Sequence, residues 1–179
     1  MFKNLDLLFA GFGGQGALFA GKLVAYAGLF EEREVSWFPS YGPEMRGGTA
    51  NVSVCLSDEP VGSPLVLNPD VLIALNQPSF DKFKDSIKKG GMAIVDSTMV
   101  KDVPEIEGVT VFEVPATGMG EQDSTLKGMA NVILTGKLFS ETKCCEKESL
   151  LAAVEKCVPA RKQAMVAANK EALLQGMQA

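Results

Sequence analysis

The chain has 179 residues, 46% of them apolar, and a net charge of −5, which suits one domain able to bury roughly 70% of its unfolded surface without metals or disulfides. The acidic balance, with Lys and Arg scattered, argues against nucleic acid as a partner, and no apolar run reaches the ~18 residues of a membrane helix. Histidine is absent, so Ser-His-Asp and Cys-His nucleophiles and most zinc chemistry are excluded.

Leu5 to Ala10 reads as a buried strand, interrupted by no cleavage site and preceded by Lys3, so a secretory signal is not indicated and the expected location is cytoplasmic. Gly11-Phe-Gly-Gly-Gln-Gly16 then matches the G-x-G-x-x-G pattern, and Ala17 to Ala27 reads as a helix. Strand, glycines and helix in that order allow backbone N–H groups at a helix N-terminus to face an anion. Gly13, Gly14, Gln15 and Gly16 are therefore a candidate anion or cofactor site, although a tight turn that only packs helix on sheet fits the pattern equally well.

Glu31 to Glu34 is a charged surface loop, and Val35 to Phe38 a second strand. A nicotinamide dehydrogenase places an acid at the end of that strand to bind ribose hydroxyls. Here the strand ends in Trp37-Phe38-Pro39-Ser40, which disfavours a dinucleotide. The run from Phe38 to Asn51 crowds Pro39, Gly42, Pro43, Gly47 and Gly48 around Glu44 and Arg46. Proline and glycine at these positions forbid a helix, and a long ordered loop on a compact domain usually carries function. Its charges have a plainer alternative, a solvated pair worth about 0–1 kcal/mol.

Thr49 to Ser57 alternates apolar and polar residues like a strand. With no helix between Phe38 and Thr49 a parallel crossover is disfavoured, so an antiparallel neighbour is expected. Val71 to Leu75 is a further strand, ending in Asn76-Gln-Pro78. A helix capped by Ser79 follows and stops at Gly90-Gly91. Ala93 to Val95 and Val109 to Val114 complete the strands. Helices are expected over Ser124 to Phe139, Glu146 to Cys157 and Pro159 to Leu174, with Asn131 hydrogen-bonded to something buried and Pro159 in a first turn. Alternating strands and helices predict a three-layer α/β/α, Rossmann-like fold whose sheet is mostly parallel with an antiparallel component. The absence of repeats and linkers predicts a single domain over 1–179.

The four cysteines, Cys55, Cys144, Cys145 and Cys157, lack the spacing of an iron–sulfur or zinc site. The adjacent pair reads as a solvated helix start. No metal site and no catalytic residue of the chain's own is indicated.

The glycine turn, the Tyr41-Gly-Pro-Glu-Met-Arg-Gly-Gly-Thr-Ala-Asn51 run, the strand to Ser57 with Asp58-Glu-Pro60, and Asn131 together resemble the gamma subunit of the 2-oxoacid:ferredoxin oxidoreductases. The form of the loop is more similar to the 2-oxoglutarate and branched-chain 2-oxoacid types than to the pyruvate type. The resemblance implies a complex that oxidatively decarboxylates a 2-oxoacid, joins the acyl group to coenzyme A and reduces ferredoxin. It implies alpha, beta and ferredoxin-like delta subunits as partners, and thiamine diphosphate and iron–sulfur clusters held by them rather than by this chain. On that footing Tyr41, Gly42, Pro43, Glu44, Arg46, Gly47, Gly48 and Asn51 form a loop facing the partner subunits near the active site, and Gly13 to Gly16 an anion or coenzyme A site. Two other readings stay open: a subunit of indolepyruvate ferredoxin oxidoreductase, and a non-catalytic α/β binding module.

Overall fold

The structure, a computed structural model, describes residues 4–40 and 49–179. Six strands form one sheet: β1 (Leu5–Phe12), β2 (Glu34–Ser40), β3 (Thr49–Ser57), β4 (Val71–Ala74), β5 (Met92–Asp96) and β6 (Thr110–Val114), in the order β2-β3-β1-β4-β5-β6. The pairs β1–β4, β4–β5 and β5–β6 are parallel. β3 alone runs the other way, antiparallel to β1 and β2. The sheet is thus mixed as expected, and the helix-free connection before β3 is the reason. Two separate strands cannot be joined in parallel without a crossover long enough to return the chain.

This order removes the ribose position of a dehydrogenase outright. β3, not β2, lies beside β1, so the end of β2 is two strands away from the glycine turn. Pro39 falls inside β2 at the sheet edge, where a missing N–H need not break a ladder.

Strand faces divide the core in two. Leu5, Leu7 and Phe9 of β1 and Val52, Val54 and Leu56 of β3 point to one side, where they meet α1 (Ala17–Phe30) and the later helices. Leu8, Leu72, Ala93 and Val95 point to the other side, against α2 (Gln77–Phe83) and the coil after β5. β1 and β4 are buried on both faces, which is why their sequences run apolar without alternation.

Several expected boundaries move for identifiable reasons. β1 continues through Gly11 and Phe12 because both pair with β3. The α2 cap is Asn76 rather than Ser79: the Asn76 side chain accepts from the Ser79 N–H at 2.9 Å, and Pro78 sits in the first turn. The helix expected over Ser124 to Phe139 is two pieces. A 3-10 turn at Ser124–Leu126 ends at Gly128, whose φ is +76°, and α4 begins at Ala130 and runs to Thr142. A short helix, α3 (Ala116–Gln122), is masked in the sequence by its two glycines. α5 spans Lys147–Cys157 and α6 spans Met165–Gln178. Pro159 is extended, with ψ 145°, and leads into a 3-10 turn at Ala160–Lys162 instead of opening a helix.

α4 and α6 touch at backbone distance. A methyl added at Gly176 would lie 1.9 Å from the Ile133 carbonyl oxygen, and one at Gly136 2.2 Å from that of Leu173. Only glycine permits this crossing, and the crossing sets Asn131 of α4 and Asn169 of α6 beside the same cleft.

Asp96 ends β5 fully buried, and its carboxylate accepts from the Thr98 N–H at 3.1 Å, the Thr117 N–H at 3.2 Å and the Thr117 hydroxyl at 2.5 Å. It ties the end of β5 to the start of α3. Asp96→Ala should cost about 2–3 kcal/mol, because three hydrogen bonds to a buried carboxylate are lost from half-buried donors. Denaturant unfolding of the two proteins measures this, and an unchanged midpoint would show that water replaces the carboxylate freely.

Candidate functional site

The carboxyl ends of β1, β4 and β5 and the chain's exit from β2 and entry into β3 all lie at one end of the sheet. α/β sheets bind ligands at this end, where strand connections diverge. The glycine turn occupies its centre. Gly14 and Gly16 have φ of +99° and +81°, left-handed conformations that favour glycine.

The turn is held by side chains. Gln15 Oε1 accepts from the Phe12 N–H at 2.7 Å and from Asn76 Nδ2 at 2.6 Å, while its Nε2 donates to the Leu75 carbonyl at 3.1 Å. Asn131 Nδ2 donates to the Gly16 carbonyl at 3.0 Å. Asn131, expected to bond something buried, bonds the half-buried Gly16, and Gln15 anchors the turn to the end of β4. A Cβ on Gly16 would come within 2.5 Å of Asn131 Nδ2, whereas one on Gly14 would meet nothing within 4 Å. The turn is therefore packed behind and open in front.

Its open side is one wall of a cleft of about 330 Å³, at the small end of the roughly 300–1,000 Å³ typical of ligand sites. The N-terminus of α1 enters it. Among the described residues no side chain caps that helix, and its first N–H groups have no intrahelical acceptor. Phe19, Met129 and Met165 supply apolar surface, and the 3-10 turn between α5 and α6 adds Arg161 and Lys162 to the lining. Among the described residues, none that lines the cleft is acidic. Backbone donors, a helix dipole and two cations around a space that a Cβ would fill make a donor set suited to phosphate oxygens.

Sequence reasoning identifies Gly14, Gln15 and Gly16, which line this cleft. Exposed Gly13 belongs to the same turn. Sequence reasoning misses Arg161 and Lys162; the signal available is a Pro-Ala-Arg-Lys turn in the acid-free stretch between Glu155 and Glu171. Asn51 pairs with Ala10 of β1 and Ser40 of β2, one strand from the turn. Tyr41, Gly42, Pro43, Glu44, Arg46, Gly47 and Gly48 lie outside the described residues. The chain leaves β2 at Ser40, two strands from β1, and re-enters at Thr49, opposite Phe12, so the Thr49 end of that segment adjoins the glycine turn.

Gln77 serves the fold, since its Oε1 accepts from the Lys101 and Asp102 N–H groups. All four cysteines are buried and free. Cys144 and Cys145 are core residues, not a solvated helix start: they pack in the α1 side of the core, and Arg33 donates to the Cys144 carbonyl at 2.8 Å. The hydrogen bond between the two thiols lowers Cys144 and raises Cys145, and burial opposes ionisation of both. Burial pushes Cys157 up to about 11 and raises Cys55. Among the described residues there is no cluster of metal-ligating side chains, and no helix is long and apolar enough to cross a membrane.

The profile of the family described as pyruvate ferredoxin/flavodoxin oxidoreductase matches residues 6–179. The 2-oxoglutarate synthase subunit KorC of Methanocaldococcus jannaschii is 38% identical over 157 residues, covering 86% of this chain and 83% of that protein. The ketoisovalerate oxidoreductase subunit VorA of Methanothermobacter marburgensis is 41% identical over 139 residues, which cover 78% of this chain but only 29% of VorA. Among solved structures, the gamma subunit of a keto/oxoacid ferredoxin oxidoreductase from Geobacter sulfurreducens superposes with a TM-score of 0.82 at 30% identity, over 97% of this chain and 96% of that one. The sheet order, the glycine turn and these likenesses agree: the chain belongs to the pyruvate ferredoxin/flavodoxin oxidoreductase family, as a gamma-type subunit of its 2-oxoacid:ferredoxin oxidoreductases.

Proposed function

We propose that this chain serves a complex that oxidatively decarboxylates 2-oxoglutarate or a branched-chain 2-oxoacid, and that its share is to help hold coenzyme A beside the active site. The single observation that supports this is the cleft lined by the glycine turn and Arg161-Lys162, with no acid among its described residues. The cleft fits the diphosphate arm of coenzyme A, a bis-anion, and is too small for the whole molecule. KorC and VorA are named for 2-oxoglutarate and ketoisovalerate enzymes, and a structure of similar fold is described with 2-oxoglutarate, coenzyme A and succinyl-CoA bound.

Coenzyme A supplies the thiol that accepts the acyl group. This chain's residues bind and orient it: N–H groups of the turn and the start of α1 donate to phosphate oxygens, and Asn131 and Gln15 keep the turn in shape. Thiamine diphosphate and the iron–sulfur clusters belong to partner alpha, beta and ferredoxin-like delta subunits, which pass electrons to ferredoxin in the cytoplasm. The segment Tyr41 to Gly48 faces those subunits, with Asn51 at its base, and Arg46 meets a carboxylate or a phosphate there. A guanidinium can donate two parallel hydrogen bonds to such a group, which lysine cannot reproduce.

Reconstitution with Arg46→Ala tests this. Loss of a desolvated ion pair costs at least about 2 kcal/mol, so subunit assembly or the coenzyme A KM should worsen roughly 30-fold. Unchanged assembly and kinetics would leave Arg46 a solvated residue and separate the loop from coenzyme A and the partner subunits.

A further inference from the structure

Arg161 and Lys162 are charged residues that the fold does not use. Both are exposed, and among the described residues neither takes part in an ion pair, although the chain has an excess of acids. An acidic protein readily finds partners for surface cations. Here two adjacent ones sit on a 3-10 turn, and among the described residues lining the cleft there is no carboxylate. The concavity is locally positive on a globally negative chain, and low-dielectric walls concentrate such a field.

The inner wall carries a second set of groups without partners. Asn131 and Asn169 are 6% and 5% exposed and line the cleft. Each side-chain nitrogen is committed, Asn131 to the Gly16 carbonyl and Asn169 to the Met165 carbonyl at 2.8 Å. Their Oδ1 atoms have no partner among the described residues. Unlike the closed-off hydroxyls of Ser36 and Ser79, these oxygens are open to N–H or O–H donors of a ligand entering the cleft. Met165, 40% exposed, and Phe19 lie beside them as apolar surface. The cleft therefore offers three different things close together: cations, hydrogen-bond acceptors and an apolar face.

We infer that Arg161 and Lys162 are the phosphate-selecting residues of this cleft, and that the cleft is complete within this one chain. It takes a nucleoside diphosphate moiety, with the cations on the phosphates and Asn131 and Asn169 accepting from hydroxyl or amino groups of the nucleoside. The inference rests on the coenzyme A reading but goes further. It names the cations that discriminate, makes phosphate rather than the thiol-bearing arm the recognised part, and requires no partner subunit for binding.

Calorimetric titration of the isolated full chain with coenzyme A, ADP and adenosine tests this. Coenzyme A and ADP should both saturate, adenosine should not, and binding should weaken with salt because exposed cations are screened. The R161Q/K162Q double variant should bind both phosphorylated ligands at least tenfold more weakly, with less salt dependence. Both side chains are exposed, so the variant should melt like the parent, which thermal unfolding checks. Equal binding by parent and variant would overturn the role of the cations while leaving coenzyme A on this chain. Binding of adenosine as tight as that of ADP would overturn phosphate selection. No binding of any ligand by the parent chain would overturn both this inference and the coenzyme A reading.

Discussion

Gly176→Ala should lower stability by at least about 3 kcal/mol, at the upper end of what overpacking costs, and depress the melting temperature by roughly 6–12 °C. The reason is geometric. The added methyl would fall 1.9 Å from the Ile133 carbonyl oxygen and 2.7 Å from its carbonyl carbon. These are backbone atoms of a helix and cannot rotate away as a side chain could. Relief requires α6 to move off α4, which would open the packing around Leu134, Leu138 and Leu173, all fully buried. The same movement would part Asn169 from Asn131, so ligand binding should fall along with stability. Thermal unfolding of the two proteins is the measurement. A melting temperature within 1–2 °C of the parent, a change of only about 0.5 kcal/mol, would mean that the helices are not in backbone contact.

Gly16→Val should cost about 4 kcal/mol. A β-branched residue at φ +81° is a genuine outlier, and the left-handed region costs about 1–2 kcal/mol for an ordinary residue. The side chain would also displace Asn131, whose Nδ2 lies 2.5 Å from the first added atom. Displacement breaks the bond to the Gly16 carbonyl and strands a buried amide, adding about 1–3 kcal/mol. Gly14→Ala provides the contrast: it has a comparable φ but open space around it, so it should cost only about 1–2 kcal/mol. Denaturant unfolding of both variants separates strain from packing. Equal losses at the two positions would show that Asn131 does not brace the turn.

The legibility of this chain in its sequence varies with the range of the interactions involved. β3 is readable with its observed limits because Val52, Val54 and Leu56 alternate with polar residues on a strand covered by helices on one side. The glycine turn is visible because its conformational demand is local. Asn76 and Ser79 are both good caps, so the sequence favours Ser79 wrongly, and only the backbone geometry chooses between them. The short helix α3 is tied at its start by Asp96, which holds Thr117 from 21 residues away. Arg161 and Lys162 cannot be assigned at all from their neighbours. What makes them notable is a glycine turn near the other end of the chain that lines the same cleft. Local chemistry writes the strands and the turn, whereas the second wall of the cleft is a product of packing.

Whether this chain brings coenzyme A to a 2-oxoacid:ferredoxin oxidoreductase is tested most directly by omission and add-back. The partner subunits would be assayed with 2-oxoglutarate and with a branched-chain 2-oxoacid, following acyl-CoA formation and ferredoxin reduction as this chain is titrated in. Coenzyme A-dependent turnover should be absent without the chain and should rise to a plateau at stoichiometric addition. The same coenzyme A KM and turnover in its absence would contradict that role.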